Sequence, residues 1–207
     1  VVQIKVLNLY SGIGGNRKLW KDVEVTAVEN NISIARIYQD FFPQDKVIVT
    51  DAHKYLLKHY KEFDFIWSSP PCPTHSRMRK MGVATKSYSA KYPNMKLYEE
   101  ILFLQHFSKS KWVVENVISF YEPLIKPVKL NRHYIWSNFI ISKKKFKYGG
   151  DIRKGLPSEL QKIKGVNIDK YKLKGRRKDS IIRSYINPKL GLHIFNCAFK
   201  EIQKVLK

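Results

Sequence analysis

QIKVLNLYSGIGGN, residues Gln3 to Asn16, is the stretch that decides the fold. Gln3–Leu9 alternates and is rich in Val, Ile and Leu, which is the pattern of a strand. It runs directly into Tyr10-Ser11-Gly12-Ile13-Gly14-Gly15-Asn16. Glycines there allow positive φ and let the backbone approach a ligand closely. A helix is expected next, over about Arg17–Trp20. Strand, glycine-rich turn and helix together open the nucleotide site of a doubly wound sheet, with a plain tight turn as the alternative. The dinucleotide pattern is absent, since it needs a further glycine two residues on.

Working outward, Val23–Glu29 reads as a second strand with an acid at its carboxyl end. In nucleotide-binding sheets an acid there accepts hydrogen bonds from ribose hydroxyls; a surface glutamate is the alternative. Ile32–Phe41 reads as a helix closed by Pro43, and Val47–Thr50 as a third short strand. Asp51 follows at the same level of the sheet. It can accept from an amino group such as that of an adenine, and it can also cap the helix expected over Ala52–Tyr60.

FDFIWSSPPCPTHS, Phe63–Ser76, reads as a buried strand over Phe63–Trp67 running into a stiff turn. Pro70 and Pro71 lock their own φ and restrict the residues before them. Cys72 is thereby presented at a strand end, where open α/β sheets place their chemistry. A buried structural thiol is the plain alternative. Arg77–Lys96 carries Arg77, Arg79, Lys80, Lys86, Lys91 and Lys96 and no acid. It is expected to be a mobile basic loop beside the cysteine, able to close over phosphates. Leu97–Phe107 reads as an amphipathic helix. Trp112–Val117 reads as a buried strand containing Glu115-Asn116. An acid in so apolar a run is paired or does chemistry, because burial raises its pKa and suits it to hold a proton. Tyr134–Ile141 is a further strand, preceded by Arg132, an anion or carbonyl clamp or else a surface cation.

Ser142–Ser180 holds 14 Lys/Arg against 4 Asp/Glu with weak periodicity. It is expected to form a small basic lobe meeting phosphates. Asn187-Pro188-Lys189-Leu190-Gly191 reads as a turn, and Leu192–Leu206 as a final helix with Cys197 on its apolar side. The formal net charge of +22 on 207 residues points to a polyanion, nucleic acid first. No apolar run approaches the roughly 20 residues of a spanning helix, and no secretory leader is expected from so strand-like an opening. Two cysteines, Cys72 and Cys197, fit a reducing, intracellular setting rather than a disulfide scaffold. No cysteine–histidine spacing argues for a metal.

The candidates fall at the carboxyl ends of successive strands: Gly12–Gly15, Glu29, Asp51, Cys72 and Glu115. In that order they resemble the cytosine-C5 DNA methyltransferase family, and its short, phage-type members in particular. Asn8–Gly15, NLYSGIGG, resembles the family's first motif, Pro71-Cys72 its proline–cysteine motif, and Glu115-Asn116-Val117 its Glu-Asn-Val motif. The likeness runs over about Lys5–Phe139, and Asn187–Ile194 resembles the last motif, which folds back beside the first.

The resemblance implies a mostly parallel, doubly wound α/β sheet of the Rossmann-like S-adenosylmethionine-dependent methyltransferase type. Residues 1–139 would be its catalytic and cofactor-binding domain, 140–182 a small basic target-recognition region, and 183–207 a segment returning to the catalytic domain. It implies S-adenosylmethionine as cofactor and S-adenosylhomocysteine as product, held by Tyr10, Ser11, Gly12, Gly14, Gly15 and Pro70, with Glu29 on the ribose and Asp51 on the adenine. It implies a cytosine flipped out of duplex DNA, attacked by Cys72, with Glu115 at N3 and Arg132 at O2, and no metal. Ser76, Arg77, Arg79, Lys80, Arg176 and Arg177 would contact DNA. A monomer in the cytoplasm of a bacterium or phage-infected host is expected, in restriction–modification or genome protection.

Three departures qualify the match. Pro73 stands where the family usually has glutamine. The second basic position near Arg132 is Tyr134. The recognition region, essentially Phe139–Ser180, is short, so a short or relaxed recognition sequence is expected. A tRNA substrate for the same chemistry, or a catalytically silent DNA-binding protein on the same scaffold, are the competing readings.

Overall fold

A computed structural model describes residues 3–146, 156–173 and 178–199. Seven strands form one sheet: β1 (Ile4–Leu9), β2 (Val23–Val28), β3 (Lys46–Ile48), β4 (Phe65–Ser68), β5 (Lys111–Val117), β6 (Val128–Leu130) and β7 (His133–Ser137), in the order β3-β2-β1-β4-β5-β7-β6. The first five run parallel, and β7 and then β6 add antiparallel at one edge. The mostly parallel, doubly wound α/β class holds.

The strand order explains where chemistry can occur. From β1 the chain winds outward through β2 to β3, then returns to place β4 on the other side of β1. The direction of winding reverses between β1 and β4. Their carboxyl ends therefore border a crevice that no connection covers.

Alternate residues along each strand feed two cores, one per face. Val6, Val25, Phe65, Trp67, Val113 and Ile135 pack with Trp20 and with Leu190, Ile194 and Phe195. Leu7, Leu9, Val28, Ile66, Trp112 and Val114 pack with Leu56, Leu97, Ile101 and Leu104. The helices are α1 (Ile32–Phe41), α2 (Ala52–His59), α3 (Arg77–Ala84), α4 (Lys96–Phe107), α5 (Pro157–Lys164), α6 (Lys178–Ser184) and α7 (Pro188–Phe199); α7 supplies the first of these cores, and α2 and α4 the second. Asn31 caps α1 by accepting from the Ser33 and Ile34 N–H groups, and Asp51 caps α2 by accepting from Lys54 N–H. No helix among the described residues is long and apolar enough to cross a membrane.

The structure corrects several local expectations. Arg17–Trp20 is not a helix but part of a run of turns. The Arg17 guanidinium forks onto Asp45 at 2.9 and 3.0 Å and onto the Trp20 carbonyl at 2.7 Å, while Asp22 turns the chain at φ 54. These contacts, and the burial of Trp20, outweigh the weak helical preference of so short a segment. The expected basic loop begins instead as α3. Ser76 caps it by accepting from Arg79 N–H at 3.2 Å, and the Arg79 guanidinium lies 5.1 Å from the centre of the Tyr88 ring. Edge strand β6 was not anticipated, since only one of its three residues is buried. Helix α7 starts at Pro188, so the expected turn over Asn187–Gly191 is its first turn. Proline suits that position, and Asn187 Oδ1 accepts from Lys189 N–H at 2.9 Å.

The basic segment after β7 holds α5 and α6. Leu160, Ile168, Ile181, Ile182 and Tyr185 pack there against Ile34 and Ile37 of α1 and against Ile13 of the glycine turn.

Candidate active site

Tyr10 opens the turn after β1 in the left-handed region, at φ 53, and Gly12 and Gly14 follow at φ 55 and 77. A methyl group on Gly14 would lie 2.2 Å from the Phe42 ring, and one on Gly15 would lie 2.4 Å from the Ile186 carbonyl oxygen. One on Gly191 would lie 2.4 Å from the Asn16 carbonyl oxygen, so the start of α7 is pressed against the turn. The turn is pinned to β2 through Ser11 N–H, which donates to the Val28 carbonyl at 3.1 Å.

Glu29 sits just past the end of β2 and is buried. Its Oε2 accepts from Gly12 N–H at 3.1 Å and its Oε1 from Asn31 N–H at 2.9 Å. Each oxygen keeps a lone pair for a further donor. The Ser11 hydroxyl is buried with no hydrogen-bond partner. An orphaned hydroxyl and a preset carboxylate beside an open glycine turn fit a ligand rich in hydroxyl and amino groups, as a nucleoside is. Asp51 is half-exposed. The backbone N–H of Lys54 holds its carboxyl below the usual range, helped by Lys96, whose Nζ is 3.6 Å away.

Cys72 lies in the turn after β4, half-buried. Its carbonyl accepts from the His75 and Ser76 N–H groups at 3.0 and 3.2 Å, which sets the turn. Burial pushes the thiol up to about 11, with the Glu115 charge adding to the effect. The buried Asn116 side chain donates to the Pro70 carbonyl at 2.9 Å and so ties the end of β5 to the cysteine turn. Pro70 is itself buried.

Glu115 has both carboxylate oxygens engaged. Ser69 Oγ donates to Oε2 at 3.0 Å, while itself accepting from Trp67 Nε1–H at 2.8 Å. His133 Nδ1 lies 2.5 Å from Oε1. Arg132 is exposed, and it is the next residue, His133, that meets Glu115. The antiparallel register explains this: Glu115 pairs with Ile135 and Val117 with His133, so His133 lies diagonally across from Glu115 on the same face.

Two further features escape sequence reasoning. Lys164 of α5 donates to the carbonyls of Tyr185 at 2.6 Å and Arg183 at 3.0 Å. Burial, then the charges of Arg132 and Arg183, pull its ammonium down to about 8, and Glu115 opposes them. The lobe thus brings a lysine into the field of the site. Glu100 of α4, fully buried, lies behind the glycine turn. Its place on the same helical face as Leu97, Ile101 and Leu104 was the available signal for Glu100; a lysine ending a short helix offers none.

Of the residues expected to meet nucleic acid, Ser76 caps α3, Arg77 and Lys80 are exposed one turn apart on it, and Arg79 is half-buried against Tyr88. Arg176 and Arg177 lie outside the described residues.

The family described as C-5 cytosine-specific DNA methylase matches residues 4–149, well over half of the chain. Among solved structures, a methyltransferase from Entamoeba histolytica superposes with a TM-score of 0.59 at 12% identity, covering 98% of this chain and 99% of that one. A mutant DNMT2 from Spodoptera frugiperda is 25% identical over 56% of this chain and 36% of its own, with a TM-score of 0.40. A SAM-dependent methyltransferase from Agrobacterium tumefaciens is 15% identical over 58% of this chain and 40% of its own, with a TM-score of 0.38. No curated protein matches the chain.

Proposed function

The chain belongs to the C-5 cytosine-specific DNA methylase family, and on that premise we propose that it methylates C5 of a cytosine flipped out of duplex DNA. The observation that carries this reading is the tie between the two strand ends: Ser69 Oγ donates to Glu115 at 3.0 Å and Asn116 donates to the Pro70 carbonyl at 2.9 Å, which sets the Cys72 turn beside Glu115.

Tyr10, Ser11, Gly12, Gly14, Gly15 and Pro70 line the cofactor side, Glu29 takes the ribose hydroxyls and Asp51 the adenine amino group. S-adenosylmethionine, if held there, would supply the methyl group for C5 and leave S-adenosylhomocysteine as the other product. The Cys72 sulfur forms a bond to C6, which makes C5 nucleophilic. Glu115 carries the proton at N3, so negative charge does not build on the ring. His133 and Ser69 hold Glu115 in place from either side, and Arg132 reaches the base at O2. The C5 proton leaves to solvent, its electron pair re-forms the C5–C6 double bond and expels the Cys72 thiolate, and N3 returns its proton to Glu115, which releases 5-methylcytosine.

The basic lobe, residues 140–182, and the exposed face of α3 supply phosphate contacts. With little surface for reading base edges, the recognition sequence is short or relaxed. The test is transfer of a labelled methyl group from S-adenosylmethionine to duplex DNA and to tRNA in parallel. Label recovered as 5-methylcytosine in DNA, and lost in Cys72→Ala, is the expected result. Label in tRNA alone overturns the substrate. Tight DNA binding with no label in either overturns the activity.

A further inference from the structure

Glu100 is the most deeply buried carboxylate near the site, and the proposed mechanism leaves it unused. Three side chains from three other elements converge on it. The Tyr10 hydroxyl donates to Oε1 at 2.5 Å, Ser68 Oγ donates to Oε2 at 2.5 Å, and His53 Nδ1 lies 3.1 Å from Oε1. The other ring nitrogen of His53 lies 3.5 Å from Glu99. Tyr10 opens the glycine turn after β1, and Ser68 ends β4. The cluster therefore joins the two strand ends that border the crevice, from behind.

We propose that His53 and Glu100 form a proton-linked brace for the cofactor turn. With His53 charged, the brace holds Tyr10 and Ser68 in the arrangement that binds cofactor; loss of that proton weakens binding. The proposal rests on reading the turn as an S-adenosylmethionine site.

Tyr10 carries a side chain at φ 53, a conformation that disfavours any residue but glycine, and its link to Glu100 holds it there. Glu100 offers one oxygen to each hydroxyl, and hydrogen bonds to a charged carboxylate are the stronger kind. An anion with no exposure persists when a cation stands beside it. His53 is the near cation, and the groups facing it are Glu100, Glu99 and Lys96 from α4, Asp51 at the cap of its own helix, and Tyr10 from the turn. The hydrogen bond to Glu100 raises the His53 pKa above its ordinary value, against the pull of burial. The brace is therefore intact below that raised value and is lost as pH rises through it. Burial, together with Glu100, keeps Tyr10 protonated throughout, so it remains a donor.

The test is calorimetric titration of S-adenosylhomocysteine into the full chain from about pH 6 to about pH 9, a range that spans the ordinary histidine value and one to two units above it. The affinity is expected to fall by about tenfold across it, as a one-unit difference in the His53 pKa between free and bound protein requires. His53→Gln removes the charge and binds weakly with no dependence on pH. His53→Lys keeps a permanent cation and binds tightly with no dependence on pH. By reciprocity, proton NMR shows His53 titrating higher when S-adenosylhomocysteine is bound. If His53→Gln does not fold, Tyr10→Phe cuts the same link from the other side. It is expected to weaken binding and flatten its pH dependence while His53 still titrates high. A flat wild-type profile, or an unchanged slope in His53→Gln or Tyr10→Phe, overturns the brace alone. No binding of S-adenosylhomocysteine at any pH overturns the cofactor reading, and the brace with it.

Discussion

The carboxyl edge of the sheet and the basic segment that follows β7 obtain their order by different means. Along the sheet edge, Glu29, Cys72 and Glu115 are positioned by strands that are buried on both faces and locked in register. The basic segment has abundant charge and few apolar residues. Its helices α5 and α6 complete their core by packing Leu160, Ile168, Ile181 and Ile182 on α1 and on Ile13. The chemistry-bearing edge thus rests on a core of its own, while the lobe depends on the sheet domain. The lesson is that a small charged lobe gains a fixed position from its neighbour, and through Ile13 that neighbour is the glycine turn itself.

The largest effect that sharpens the contrast concerns the edge alone. Cys72→Ala is expected to lower methyl transfer by about 10⁴-fold or more, and Glu115→Gln by about 10²–10⁴-fold, with thermal midpoints near wild type. Loss of folding in either variant would show that the edge depends on its reactive side chains for stability.

Leu160→Ala addresses the lobe. Truncating a fully buried leucine costs about 2–5 kcal/mol. Calorimetric unfolding is expected to show one transition shifted downward, because the lobe and the turn share a core. Two separate transitions would break the comparison by showing the lobe to be an independent unit.

A third measurement reads electrostatics at the edge. With the Cys72 thiol pushed up to about 11, it is protonated at neutral pH. Its alkylation rate, followed by mass spectrometry, is expected to rise about tenfold per pH unit until that value is approached. Glu115→Gln removes the neighbouring charge and is expected to speed alkylation at a given pH while slowing methyl transfer. Equal rates in the two proteins would separate Glu115 from Cys72. The smallest effect belongs to the exposed cations. Lys80→Ala on α3 is expected to weaken duplex binding a few-fold and to reduce the dependence of log affinity on log salt by about 1.

Much of the sheet was legible before any coordinates. Ile32–Phe41 is a helix over those residues, and Asp51 caps α2. Such segments are legible because their burial pattern repeats at a local period. Residues 17–20 turn because the distant Asp45 holds Arg17, whereas residues 77–84 coil because Ser76 caps them and Gly82 leaves room for Tyr88. A histidine ahead of a strand carries no mark of its partner, and only the β5–β7 register turns His133 toward Glu115.

By itself, then, the sequence determined the class of sheet, the order of the candidate groups along its edge, and a charge suited to a polyanion. These are properties of composition, local period and motif order. Tertiary structure decided which groups meet: His133 and Ser69 on Glu115, Asn116 on the Pro70 carbonyl, Glu100 under Tyr10, and the lobe on the glycine turn. The physical reason is separation along the chain. Each meeting joins residues that are distant in sequence or on different strands, and only the closing of the sheet and the packing of its layers bring them within hydrogen-bonding distance.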